Sequence, residues 1–214
     1  MEIKTNQILN LNRFRDNKQW IVIGTEVDGR LNTFDCIPYN AINGISMPVT
    51  GKDGKYNYAV SYIREWLNSE FIKTYLGESF MPGGEDEDAL VPMGVECNGA
   101  VFIDRVKLLS YTEICGWLDH TIKEPVHDKT LSYDYFNKPY RRILHDSNCN
   151  SVWWWTRSCT SSGKPIMVNP SGYVTDFGNN IAHIIPCIRV NQDHINKLHE
   201  LQDYEKDIIA YDFY

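Results

Sequence analysis

The sequence predicts an α+β domain of antiparallel sheet with two helices and long loops. Three observations predict it: a hairpin signal near the start, two capped amphipathic segments in the middle, and a run of short strand-like segments broken by turns in the last third. A chain of 214 residues suits one large domain, or one domain with an appendage.

Residues 1–18 are polar and read as an N-terminal arm or edge segment. Trp20-Ile21-Val22-Ile23-Gly24 and Phe34-Asp35-Cys36-Ile37 flank Asp28-Gly29, a dipeptide that favours tight hairpin turns. Gly51 to Gly54 marks a loop. A helix then fits Ser61 to about Tyr75, because Ile63, Trp66, Leu67, Phe71 and Ile72 share one face at 3.6-residue spacing. Ser61 suits its N-cap, and Glu65 in the first turn suits the helix dipole. Met81 to Asp88 is a loop rich in glycine and acid.

Val101-Phe102-Ile103 and Val106 to Leu109 are strand material around a turn at Asp104-Arg105. Ser110-Tyr111-Thr112-Glu113 has the S-x-x-E form of a capping box, which predicts a second helix near 110–119. Residues 119–150 are polar, with Pro125 and Pro139, and read as a long irregular surface segment, where function often resides. Val152 to Arg157, Pro165 to Asn169, Tyr173 to Asp176 and Ile181 to Val190 read as strands separated by turns at Thr160–Gly163 and Pro170–Gly172. In the tail, Ile195, Leu198, Leu201 and Tyr204 recur at helical spacing between charges. The expected organisation is an arm over 1–18, a domain over 19–191 and an amphipathic C-terminal helix over 192–214 that either caps its own domain or pairs with a partner.

The formal charge of −7 and pI near 5.3 argue against general nucleic-acid binding, which needs a basic face. Lys138, Arg141 and Arg142 come nearest to a basic patch and read as a solvated face. No stretch approaches the roughly 20 apolar residues of a membrane span. The opening residues lack the apolar core of a signal peptide, so synthesis in the cytoplasm is expected. The six cysteines form no C-x-x-C pair. They read as small, reduced, buried residues, and no metal or other cofactor is expected.

Several motifs together carry a family resemblance. Trp154-Trp155-Thr156-Arg157-Ser158, Val168-Asn169-Pro170-Ser171-Gly172-Tyr173-Val174 and Ile184-Ile185-Pro186 follow at short intervals. Ser61-Tyr62-Ile63-Arg64-Glu65-Trp66-Leu67-Asn68 and Leu108-Leu109-Ser110 with Glu113 precede them. This resembles an uncharacterised domain family of bacteria and their phages, with motifs W-W-L-R-S-P, V-N-x-x-G-x-V, G-V-R-P, S-x-I-R-x-W-L-N and L-L-S-x-x-E. The resemblance covers about residues 18–191. The family is similar, more remotely, to the C-type-lectin-like fold of formylglycine-generating enzymes and phage tropism proteins. It therefore implies twisted antiparallel sheets, two helices and long loops. The chain departs from the family at His183, Ile185 and Cys159, where the family has glycine, arginine and proline.

The Trp153–Trp155 run supports two readings. Strand alternation sends Trp154 to one face and Trp153 and Trp155 to the other. The rings either fill the core or form a platform for a sugar or peptide. Formylglycine-generating enzymes use two C-terminal cysteines on copper; Cys159 and Cys187 lack that close spacing and read as buried thiols. Glu85 to Asp88 reads as a solvated loop, with calcium as the alternative. His120 and His127, beside Asp119 and Asp128, are the candidate acid–base or metal pair. No Ser-His-Asp order, nucleophile elbow or phosphate loop is visible.

The function expected is a non-catalytic binding module, phage-encoded and virion-associated, that displays loops to a protein or a surface glycan. Candidate ligand-binding residues are Trp153, Trp155, Tyr173, Asp176, Asn179 and Asn180, since tyrosine and asparagine are favoured contact formers. Alternatives are an oxidase of the formylglycine-generating type and a structural virion subunit that assembles through the C-terminal helix.

Overall fold

The computed structural model describes residues 4–10, 19–28, 31–42, 56–97, 99–116, 132–176, 182–194 and 201–202. Its strands are β1 (Ile8–Asn10), β2 (Gln19–Asp28), β3 (Leu31–Pro38), β4 (Met93–Cys97), β5 (Ala100–Asp104), β6 (Val106–Leu108), β7 (Trp154–Cys159), β8 (Pro165–Val168), β9 (Val174–Thr175), β10 (Pro186–Asn191) and β11 (Leu201–Gln202). The largest sheet has the order β11-β1-β2-β3-β10-β6, with every neighbour antiparallel. β4 and β5 form a two-stranded ribbon, and β7, β8 and β9 a three-stranded sheet. The α+β class with antiparallel sheets and few helices is as the sequence predicts.

The apolar run Trp20–Ile23 has no polar alternation because both faces of the large sheet are covered. Trp20 and Val22 enter one core cluster with Phe34, Cys36, Val106, Leu108, Ile188 and Val190. Ile21 and Ile23 enter a second with Ile37 and Cys187. The first cluster is closed by α1 (Tyr62–Trp66) and its continuation Leu67–Leu76, which buries Leu67, Phe71, Ile72 and Leu76. The continuation has the wider i→i+5 pattern and ends where Gly77 N–H reaches the Ile72 carbonyl at 2.7 Å. Ser61 caps the helix by accepting from Arg64 N–H, as its position predicts.

Asn68 is the polar weld between this helix and the large sheet. Its amide donates to the Val106 carbonyl at 2.8 Å, and its oxygen accepts from Arg105 N–H at 2.8 Å and Val106 N–H at 3.1 Å. Replacing Asn68 by Ala leaves these backbone groups without their partner, so stability should fall by about 1–3 kcal/mol, read as a lower urea midpoint.

The second helix, α2 (Tyr111–Cys115), starts with both halves of the capping box: Ser110 Oγ accepts from Glu113 N–H at 3.0 Å, and Glu113 Oε2 accepts from Ser110 N–H at 2.8 Å. Gly116, with φ of 71°, ends it. The expected continuation to residue 119 lies outside the described residues. Strand β4 is absent from the sequence reading, although Met93, Val95 and Cys97 alternate as a half-buried strand should. β5 and β6 flank Asp104-Arg105 as expected, yet they belong to different sheets.

Both ends of the chain differ from expectation. Ile8–Asn10, assigned to the arm, is a strand paired with β2. Residues 192–194 are helical, but Leu201–Gln202, assigned to the tail helix, pairs with β1 as a strand. An edge strand offers unpaired N–H and C=O groups, and supplying them with a partner overrides a helical apolar spacing. The remainder of the expected tail helix lies outside the described residues.

A buried ionic knot joins the layers. Glu113 on α2 meets Lys107 on β6 at 2.6 Å and Arg157 on β7 at 2.6 Å. Arg157 also donates to the Leu108 carbonyl at 2.7 Å and the Glu96 carbonyl at 3.2 Å. All three charged side chains are buried. Burial pushes the Glu113 carboxyl up, but the two cations outweigh it and hold it at about 2. The large sheet, the ribbon, α2 and the three-stranded sheet are thereby tied at one point.

Candidate functional site

The long irregular segment is built on buried anchors. Residues 134–137 and 139–142 form two tight helical turns, with Pro139 opening the second. Phe136 is buried edge-on against Tyr135 at 4.9 Å and near Trp154 at 6.4 Å. Arg142 donates to the Phe136 carbonyl at 2.9 Å, and the Trp154 indole N–H donates to the Arg142 carbonyl at 3.0 Å. Gly172 completes the seat. A β-carbon there would collide with the Pro139 carbonyl, and its φ of 79° suits only glycine easily. The Asn169–Tyr173 turn can therefore lie directly on Pro139.

Tyr133 holds the start of the segment. Its hydroxyl donates to Asp35 at 2.6 Å, and Arg189 grips the same carboxylate at 2.6 and 2.8 Å. The ring passes over Gly24, where any β-carbon would meet it at 2.7 Å. The same glycine follows an irregularity in the β2–β3 register between Val22 and Gly24.

Above these anchors the surface is aromatic and cationic. Tyr140 is 53% exposed, Tyr173 57% and Tyr39 39%. Lys138 is exposed beside them in sequence. The Arg141 guanidinium lies 5.6 Å from the Tyr135 ring and 6.0 Å from the Tyr140 ring. Burial pushes the Tyr135 phenol up to about 12, with Arg141 opposing and Tyr39 and Tyr140 adding. Tyr135 is thus a neutral floor under Arg141. The patch can present flat rings, hydroxyls and a planar cation to a large partner. Among the described residues Val60, Tyr62, Val101 and Ile103 are the other exposed large apolar side chains.

The residues expected at the site divide. Tyr173 is exposed and belongs to this patch through the Gly172 turn. Asp176 is half-buried and lies 4.0 Å from Lys164. Trp155 is 2% exposed in the first core cluster, and Trp153 packs partly buried against it. The platform reading is corrected for Trp155, because β7 is covered on both faces: Trp154 faces the second cluster and Trp155 the first. The predicted alternation of the three rings is observed. Asn179 and Asn180 lie outside the described residues, as do His120 and His127.

Three further expectations change. Cys149, read with the other cysteines as buried, is exposed, because it lies in the surface turn that follows Asp146. Arg142, expected on a solvated face, is buried with its guanidinium turned inward. Glu87, from the acidic loop, is held by Arg105 at 2.5 Å, so that loop is partly structural. Cys159 and Cys187 sit in separate core clusters and form no pair. Ile185, where the resembled family has arginine, is buried in the second cluster. Tyr39 and Tyr140 are the surface residues that the sequence reading misses, and Lys138 and Arg141 it takes for a solvated face; the available signal is an aromatic next to arginine in Lys138-Pro139-Tyr140-Arg141.

Residues 42–191 match the family described as Domain of unknown function (DUF6273). The chain belongs to this family. No curated protein and no solved structure matches it. The DUF6273 span includes both helices, the ribbon, the three-stranded sheet, β10 and all of the patch except Tyr39; β1, β2 and β3 precede it. Among the described residues, no helix is long and apolar enough to cross a membrane, and no group of three or more His, Cys, Asp or Glu gathers as a metal site.

Proposed function

We propose that this DUF6273 chain is a non-catalytic binding module that meets a protein or a glycan surface through the Tyr39–Tyr140–Tyr173 patch. The observation that carries the reading is the placement of exposed Tyr140 and Lys138 and half-buried Arg141 on a segment pinned from below by Phe136, Arg142 and Trp154, with the exposed Tyr173 on the turn seated against Pro139 and Tyr39 near Tyr135. Exposed tyrosine and arginine on a firm support lose little freedom on binding, which favours them as contact residues. The scaffold reads as C-type-lectin-like: antiparallel sheets and short helices support a long irregular surface segment. The phage setting that the sequence resemblance implies suits such a module, displayed on a virion to recognise a host or a neighbouring subunit.

The test compares the wild type with a Tyr39→Ala, Tyr140→Ala, Tyr173→Ala triple variant on immobilised panels of bacterial glycans and phage structural proteins. Retention of the wild type on at least one member, with loss in the triple variant at unchanged melting temperature, is expected. Equal retention of both, or none of the wild type, would overturn the reading.

A further inference from the structure

Arg141 differs from every other described arginine in what it touches. Arg64 grips Asp104 with three hydrogen bonds of 2.9–3.1 Å. Arg105 pairs with Glu87, Arg157 with Glu113 and Arg189 with Asp35. Arg142 donates to the Phe136 carbonyl. Arg141 has two aromatic rings beside it and, among the described residues, no oxygen acceptor for its side chain. Lys138, exposed three residues earlier, likewise has no carboxylate partner there.

A guanidinium is a planar fork that matches a carboxylate with two parallel hydrogen bonds. Rings 5.6 and 6.0 Å away attract the guanidinium without occupying its N–H groups, which stay available to an anion. The chain carries a net charge of −7, so its overall field repels acidic partners. Two cations without a carboxylate partner among the described residues, close to the exposed Tyr140, therefore mark a local exception.

We infer that Arg141, beside Tyr135 and Tyr140, is the anchor for a carboxylate on an acidic protein segment. This rests on the binding reading above and names the partner class for that surface. A protein segment is favoured over a sulfated glycan because exposed tyrosine beside arginine is the composition of protein-recognition hot spots. The carboxylate engages the Arg141 fork, Lys138 adds attraction, and Tyr140 and Tyr173 cover the apolar stems of the acidic side chains.

The experiment uses the full chain and a fluorescent Glu-rich peptide, with a Gln-rich peptide and heparin as comparison probes, read by anisotropy. Wild type should bind the Glu-rich peptide, more weakly as salt rises, and the Gln-rich peptide at least tenfold less. Arg141→Ala should weaken binding by about tenfold or more. Arg141→Lys keeps the charge but loses the fork, and should also weaken it. Melting temperature should hold in both, since the side chain meets only rings. An unchanged affinity in Arg141→Ala, wild-type binding by Arg141→Lys, absence of wild-type binding, or tighter Arg141-dependent binding of heparin would each overturn the inference. If tyrosine substitutions abolish capture on the panels while Arg141→Ala does not, the binding surface stands and the carboxylate anchor falls.

Discussion

Replacing Glu113 by Gln is expected to lower the melting temperature by roughly 10 °C, corresponding to about 3–5 kcal/mol. Glutamine can keep the capping contact to Ser110 N–H, so the substitution isolates the charge. What it removes is the carboxylate that meets two buried cations, Lys107 and Arg157. Uncompensated buried charge is among the costliest defects a fold can hold. A Lys107→Met, Glu113→Gln, Arg157→Met triple variant should be more stable than Glu113→Gln alone, because no orphan charge remains. The same carboxyl gives a pH signature. Its folded pKa, about 2, lies below the ordinary 4.5. Its contribution is therefore complete above about pH 4.5 and lost as pH falls from there through about 2. Wild type should lose its advantage over Glu113→Gln across that window. Burial holds the Asp104 carboxyl above its ordinary value despite Arg64, and this applies to both proteins, so the difference between them reports Glu113. A pH-independent gap, or a melting temperature within a degree or two of wild type, would reject the account.

Trp154→Ala should cost about 3–5 kcal/mol in urea unfolding and degrade the binding patch with it. The indole is fully buried in the second core cluster, so truncation leaves a cavity between the β7 face and the irregular segment. It also leaves the Arg142 carbonyl without its indole donor. Trp154→Phe keeps most of the volume and loses the hydrogen bond, so about 1–2 kcal/mol is expected. The surface consequence separates this tryptophan from Trp155, which closes the other core cluster. Trp154→Phe should raise hydrogen exchange in residues 134–143, whereas Trp155→Phe should leave that segment unchanged. Equal effects of the two would show that Trp154 does not support the patch.

The motif residues explain why the family likeness was readable while its site was not. Arg64 pairs with Asp104, Asn68 closes the start of β6, Glu113 and Arg157 form the ionic knot, and Ser158 Oγ accepts from Tyr111 N–H. Asn169 accepts from Ser171 and Tyr173 N–H, and Gly172 admits the Pro139 carbonyl. Every one of these polar side chains is occupied by the scaffold. Their spacing reports where layers must join, and a residue already bonded inward has little left for a ligand. Most of the patch carries the opposite signature: Tyr39, Tyr140 and Arg141 belong to none of the motifs quoted for the family, and Tyr173 falls at a variable position of one.

By itself the sequence determined the local elements: the β2–β3 pairing, the Ser61 and Ser110 caps, the turn at Gly172 and the opposite facing of Trp154 and Trp155. These depend on interactions within a few residues or on the two-residue period of a strand, which the chain carries wherever it goes. Tertiary structure alone decided the rest. It placed Leu201–Gln202 on the edge of β1 against a helical pattern, turned Arg142 inward while leaving Arg141 outward, and brought the 170–173 turn onto Pro139. Neighbouring arginines have the same charge and propensity, and which of them meets a carbonyl depends on side chains far away in sequence. Burial and partner choice are set by the packed surroundings, so the surface available for function became visible only once the layers closed.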